Sequence, residues 1–278
     1  MIEEFDHTIL NRVGHPLHLT VTPATNEADV VILVHGFKGF RHWGFFPLAA
    51  QHLALNGFTA VRMDLSLNGM EGGVGLVTKP DDFGRSTISR DVDDVHDVLF
   101  WLQHDGIRTT SDLERSTFHL VGHSRGGGVV QIVGRETMNS GLLGKVVAWN
   151  SVGKWDRWTQ RQREHWLEHG RIDVENSRTG QKLQIFTDLL HDIEDHTVRL
   201  SLELASKALG ERLLFIHADA DLTTPIHEVQ DLIERSTTTA ELAIMHGSTH
   251  TFGISHPLQR VTGTFTHVLD KTVQFLQQ

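Results

Sequence analysis

Gly122-His123-Ser124-Arg125-Gly126 sets a serine between two glycines where a strand-like run over residues 117–121 gives way to a helical pattern over 129–138. A serine there occupies a sharp turn that lifts its hydroxyl clear of the sheet. Small residues on either side let the backbone take that turn, and the helix N-terminus beneath favours developing negative charge. A serine hydroxyl is a weak nucleophile at neutral pH, so it needs a base, and the base needs a carboxylate to orient it. Two later strand ends offer both. Asp219 and Asp221 follow the apolar run 213–217, and His246 and His250 follow the run 241–245. Serine, acid and histidine in that chain order belong to one triad architecture. The remaining need is a pair of backbone N–H groups for the oxyanion. His35-Gly36-Phe37 ends the run 30–34, which makes the amides of Phe37 and Arg125 the expected donors; loss of one donor costs about 10²- to 10³-fold in turnover. The chemistry implied is acyl transfer.

The elements that must hold these residues alternate in type. Short β-branched runs at 30–34, 58–63, 117–121, 145–149, 213–217 and 241–245 read as strands of a mostly parallel sheet. Amphipathic stretches at 45–56, 89–103, 129–138 and 258–276 read as helices covering both faces, with Ser89 the expected cap of the second. Residues 17–21 are expected to pair antiparallel at the sheet edge, and 64–84 to form a long glycine-rich loop. The interval between the strands at 149 and 213 is too long for a simple crossover and must carry structure. Trp155, Trp158 and Trp166 fall within about a quarter-turn on a helical wheel, which predicts a helix over 154–169 with an aromatic stripe. A hairpin about Arg178-Thr179-Gly180 within 171–185 and a returning helix over 197–209 complete the interval. The stripe serves either as packing against the sheet or as a wall facing substrate, with Trp155 and Trp158 the candidate contacts.

Composition removes other classes. The chain has 278 residues, 39% hydrophobic and 22% charged, which excludes disordered, collagenous and coiled-coil readings. No apolar run approaches the ~18 residues of a membrane span. With 25 Lys and Arg against 35 Asp and Glu, the formal charge of −10 repels nucleic acid and anionic lipid. There is no cysteine, hence no disulfide, no thiolate nucleophile and no cysteine-ligated zinc. The acidic start Met1-Ile2-Glu3-Glu4 lacks the pattern of an export signal, so a cytoplasmic protein is expected. The 20 histidines include pairs four apart at 119/123, 165/169 and 246/250, but no His-Glu-x-x-His occurs, and neither metal nor organic cofactor is expected. Oligomeric state is not set by these features.

Taken together, residues 30–37, 122–127, 217–225 and 247–252 resemble the oxyanion, nucleophile, acid and base segments of the α/β-hydrolase superfamily. His-Gly-Phe with Gly-His-Ser-x-Gly-Gly is most similar to the small carboxylesterases of the cinnamoyl (feruloyl) esterase and dienelactone-hydrolase-like branch. The resemblance implies an eight-stranded, mostly parallel sheet with helices on both faces, a core of residues 1–150 and 211–278, and a lid inserted after the sixth strand over 151–210. It implies Ser124 as nucleophile, His250 as general base and Asp221 as orienting acid, with Asp219 and His246 set aside. His123, His35 and Asp64 take bracing roles. Ala218 where the family often has glycine, and the bulky Arg125 beside the nucleophile, are departures. A cytoplasmic esterase for a small-molecule ester follows. A thioesterase or small peptidase would use the same residues, and a binding scaffold of the same fold would need none of them.

Overall fold

The computed structural model describes residues 2–24, 29–71, 75–104 and 117–278. The chain opens with a hairpin, β1 (Phe5–Leu10) and β2 (Pro16–Thr22). Its turn is tied by the Asn11 side chain, which accepts from the amides of Val13 and His15. Then come β3 (Val30–Val34), α1 (Phe46–Leu55), β4 (Thr59–Met63), the short α2 (Pro80–Gly84) and α3 (Ile88–His104). β5 (Phe118–His123), α4 (Arg125–Thr137) and β6 (Leu143–Trp149) follow. The interval to the next sheet strand holds α5 (Gln160–His169), the hairpin β7 (Arg171–Asn176) and β8 (Gln181–Phe186), α6 (Asp188–Asp195) and α7 (Leu202–Leu209). The chain closes with β9 (Leu213–Ala218), α8 (Ile226–Ser236), β10 (Glu241–Met245) and α9 (Gly263–Leu276).

Eight strands make one sheet in the order β1-β2-β4-β3-β5-β6-β9-β10, antiparallel at β1–β2 and β2–β4 and parallel from β4 onward. β3, β4, β5 and β9 are buried along their whole length, because helices cover both faces and a parallel strand then needs apolar residues on each side. One face packs α3, α4, α7 and α8 through residues such as Val95, Val129, Leu209 and Leu232. The other packs α1 and α9 through Leu53, Phe265 and Val273. With every parallel strand running the same way, β3, β5, β6, β9 and β10 all end on one edge, where open α/β sheets gather their ligands.

Several expected boundaries move, each for a local reason. β2 is not the edge; β1, with its exposed outer face, lies outside it. The helix predicted over 154–169 begins only at Gln160, because Thr159 and Gln162 form a reciprocal capping box there. Trp155 and Trp158 therefore lie in an irregular lead-in, not on a helical stripe. The last helix starts at Gly263 behind the Thr262 cap, five residues later than its periodicity suggests. α3 begins at Ile88, so Ser89 lies inside it rather than capping it, and its amide donates to Asp192 at 2.9 Å. The long loop over 64–84 carries α2 at its end; residues 72–74 of that loop, like Met1, lie outside the described residues. The returning helix over 197–209 is confined to α7, while α6 is an additional helix.

Candidate active site

β5 passes into α4 through Ser124, whose φ of 57° and ψ of −121° put a non-glycine residue in a region that costs of order 1–3 kcal/mol. The surroundings hold it there. A Cβ at Gly122 would lie 2.2 Å from the Gly126 carbonyl oxygen, and one at Gly126 would lie 2.5 Å from those of Val34 and His35. Both positions must be glycine for the elbow to close against β3. The Ser124 amide donates to the Trp149 carbonyl at 2.9 Å, and its carbonyl accepts from Gly127 at 3.0 Å. Its side chain faces a cavity of about 440 Å³ that also exposes Phe37, Arg125 and His250.

His250 reaches the cavity from the loop after β10. Its Nδ1 lies 2.7 Å from Asp221 Oδ2, and the carboxylate is itself buried on the loop after β9. Asp221 Oδ1 accepts from the amides of Thr223 and Thr224 at 2.8 and 3.0 Å, and the Thr224 hydroxyl lies 2.7 Å from Oδ2. Burial by itself would raise this carboxyl; the His250 contact and the Thr224 donors outweigh burial and hold it at about 2. An acid depressed from 3.8 contributes stability above its unfolded value, and that contribution is lost as pH falls through the folded one. The contribution is about 2 kcal/mol near neutrality by linkage. The denaturant-derived stability gap between wild type and Asp221→Asn is therefore expected to shrink by about 1 kcal/mol from pH 5 to pH 3. A gap constant across that window would contradict the assignment.

The rival pair sits elsewhere. His246 Nδ1 is 2.9 Å from Asp219 Oδ2, and Asp219 also accepts from the Gly247 amide, but the His246 side chain is 82% exposed. These two residues brace a surface turn. His250 and Asp221 form the pair that opens on the cavity holding Ser124. Among the described residues no hydrogen bond joins the Ser124 hydroxyl to His250. The backbone N–H groups of Phe37 and Arg125 likewise make no hydrogen bond among the described residues, and both residues line the cavity beside Ser124.

No family model matches the chain, and no curated protein matches it. Solved structures do. The crystal structure of α/β hydrolase GrgF from a Penicillium species superposes with a TM-score of 0.74 at 15% identity, covering 99% of this chain and 98% of that one. Est1E from Butyrivibrio proteoclasticus with ferulic acid bound gives 0.66 at 15% identity over 98% and 96%. Dienelactone hydrolase from Anabaena variabilis gives 0.63 at 15% identity over 99% and 97%. The chain has the α/β-hydrolase fold.

Within this α/β-hydrolase fold, His123 and His35 are buried beside the elbow and the Phe37 loop, while Asp64 holds the Arg41 segment rather than the loop that follows it. Burial pulls His123 down to about 3, with the neighbouring His250 ring adding to the effect, so it is neutral and its Nε2–H donates to the His250 carbonyl at 2.8 Å. His35, also lowered by burial, donates from Nδ1 to the Gly36 carbonyl at 2.9 Å and accepts the Leu65 amide at Nε2, which fixes the Phe37 loop. Asp64 accepts from the Arg41 amide at 2.6 Å and pairs with its guanidinium. The Arg125 side chain turns inward, its Nε 2.7 Å from the buried Asp91. Burial pushes the Asp91 carboxyl up to about 7 despite the pull of that guanidinium. Trp155 and Trp158 both line the cavity; the Trp155 indole N–H donates to the Leu200 carbonyl at 2.6 Å, and Trp158 packs edge-on against Trp166 at 4.9 Å.

Two residues that hold the site were not read from the sequence. Asn150, at a φ of 41° just past β6, donates to the His250 carbonyl at 2.8 Å and accepts the Ala218 amide at 2.7 Å, tying three strand ends together. Thr224 contacts Asp221, the Asn150 carbonyl and His250 Nδ1 from one hydroxyl. The available signal was position: each is a short polar side chain at the carboxyl end of a parallel strand or one loop beyond it. Among the described residues no three His, Asp or Glu side chains converge as a metal site, and no helix is long and apolar enough to cross a membrane.

Proposed function

We propose that this protein is a serine hydrolase that cleaves carboxylic esters through an acyl-enzyme. The observation that carries the reading is the buried Asp221–His250 contact of 2.7 Å opening onto the cavity that Ser124 enters from a strained elbow. Ser124 Oγ attacks the acyl carbon as its proton passes to His250 Nε2. Asp221 keeps the His250 proton on Nδ1 and stabilises the imidazolium. Negative charge on the carbonyl oxygen is met by the Phe37 and Arg125 amides at the N-terminal end of α4. Collapse expels the alcohol, which takes the Nε2 proton, and a water activated by the same nitrogen then hydrolyses the acyl-serine. The Ser124–His250 contact is expected to tighten to bonding distance as an acyl group fills the cavity.

Residues 151–210 act as a lid in this reading, with Trp155 and Trp158 forming an apolar wall for an aromatic or medium-length acyl group. Feruloyl-type esters fit such a wall, and Est1E, of the same fold, carries ferulic acid in its structure. The substrate is a small molecule, with neither nucleic acid nor membrane involved, and a cysteine-free chain suits a reducing cytoplasm. Stopped-flow mixing with p-nitrophenyl butyrate tests the mechanism: a burst of one nitrophenolate per protein is expected when deacylation is slower than acylation. Comparing that ester with an acyl-CoA and a peptide anilide separates esterase from thioesterase and peptidase. Failure to turn over any of the three would count against the proposal.

A further inference from the structure

The charged side chains lining the cavity are all basic, although the chain as a whole carries a formal −10. They are Lys38, Arg125, Lys154, Arg157 and Arg178, and no Asp or Glu lines the wall among the described residues. Two of the five are held by buried acidic side chains. Arg125 is bound to Asp91 at 2.7 Å and Arg157 to Glu228 at 3.1 Å. Lys38, Lys154 and Arg178 have no carboxylate within 4 Å among the described residues.

Lys38 and Arg178 both lie at the β7–β8 hairpin and line the same cavity. The Lys38 ammonium donates to the Glu175 carbonyl at 2.9 Å, from a backbone held at a φ of 61° that favours glycine. Arg178 lies over the Phe40 ring at 5.4 Å and donates from Nη2 to the Gly75 carbonyl at 2.6 Å, and its other guanidinium N–H groups have no partner among the described residues. Asn176, the last residue of β7 and part of the same lining, is 4% exposed; its Nδ2 has no hydrogen-bond partner among the described residues, although its Oδ1 accepts from the Arg178 amide. An amide donor buried and unpaired costs about 1–3 kcal/mol, a penalty that a ligand oxygen would remove. Burial pulls both Lys38 and Arg178 below their ordinary values; Glu175 opposes the change at Lys38, and no charged group opposes it at Arg178.

We propose that Lys38, Asn176 and Arg178 form a subsite for an oxyanion group, carboxylate or phosphate, carried by the substrate away from the bond that Ser124 attacks. The inference rests on the hydrolase reading of the same cavity and names the substrate class: an ester or thioester with a second, anionic end. A planar guanidinium, an ammonium and an amide donor suit the several acceptor lone pairs of such a group. Exclusion of carboxylates from the wall keeps the field of the cavity positive in an otherwise acidic protein.

Two matched pairs of substrates test this and separate the two anions. For the carboxylate, mono-p-nitrophenyl glutarate is compared with p-nitrophenyl valerate; for phosphate, hexanoyl-CoA with hexanoyl-N-acetylcysteamine. In at least one pair the anionic member is expected to have a kcat/KM at least about tenfold higher, and added NaCl should shrink that ratio. Arg178→Gln should bring the ratio close to one and Arg178→Lys should keep most of it. Ratios near one in both pairs, or a ratio that Arg178→Gln leaves intact, would overturn the subsite. Should the glutamine variant not fold, the salt dependence of the wild-type ratio decides instead. Calorimetry on Ser124→Ala keeps the subsite distinct from the hydrolase reading, using monomethyl adipate against dimethyl adipate. Binding of the monoester alone, with wild-type protein hydrolysing none of the esters, would support the subsite while removing the hydrolase; wild-type turnover without any anionic preference would do the reverse.

Discussion

Ser124→Ala is expected to lower kcat/KM for p-nitrophenyl butyrate by about 10⁶-fold, leaving a residual rate that comes from the oxyanion donors and binding. The size of the effect follows from the hydroxyl being the only part of the machinery that forms a bond to the acyl carbon. Ser124→Gly should lose as much activity yet be more stable than Ser124→Ala, by about 1 kcal/mol. Glycine adopts the φ of 57° without the penalty that any side chain suffers there. Equilibrium urea unfolding of the two variants measures this difference directly. Equal stabilities would mean that the elbow is not strained, and an Ala variant within tenfold of wild type would remove Ser124 from the chemistry.

Asp221→Asn should reduce kcat by about 10⁴-fold with little change in KM. An asparagine keeps the amides of Thr223 and Thr224 bonded through its oxygen, so the loop after β9 holds its shape. Its NH₂ group, however, can replace Oδ2, 2.7 Å from His250 Nδ1, and a donor there obliges Nδ1 to accept. The proton then resides on Nε2, the atom that must receive the serine proton. A steady-state rate reduced less than tenfold would show that the carboxylate is a structural brace only. Since Asp221 is ionised down to about 2, its own titration is expected to leave no mark on the pH–rate profile above pH 4.

The parts of this molecule that could be read in advance are those whose causes are local. The runs 30–34 and 241–245 coincide with β3 and β10, since short apolar stretches bounded by polar turns have few other uses in a mixed chain. The positions of Ser124, Asp221 and His250 near strand ends were equally legible, because each lies within five residues of the end of such a run. β1 was not, because its Phe-Asp-His-Thr-Ile-Leu sequence is mostly exposed and is held by pairing with β2 more than by its own pattern. The first turn of α4 was hidden by Gly126, Gly127 and Gly128, poor helix formers retained because Val34, Ser151 and Trp155 press on them. The aromatic spacing that suggested a helix from residue 154 proved to be a tertiary pairing of Trp158 with Trp166. Asn150 and Thr224 act through partners 100 and 74 residues away, and nothing in their neighbourhoods encodes such contacts. The choice of Asp221 over Asp219 likewise becomes physical only when the surface pairing of Asp219 with His246 is seen.

The most direct measurement is covalent labelling. A fluorophosphonate reacts at a serine only where a neighbouring base withdraws its proton and donors receive the resulting oxyanion, which is the convergence at issue. Peptide mass spectrometry of the labelled protein should find one adduct per chain, on the peptide containing Ser124, absent from Ser124→Ala and strongly slowed in His250→Ala. Folded protein that takes up no label, or takes it at another residue, would contradict the account.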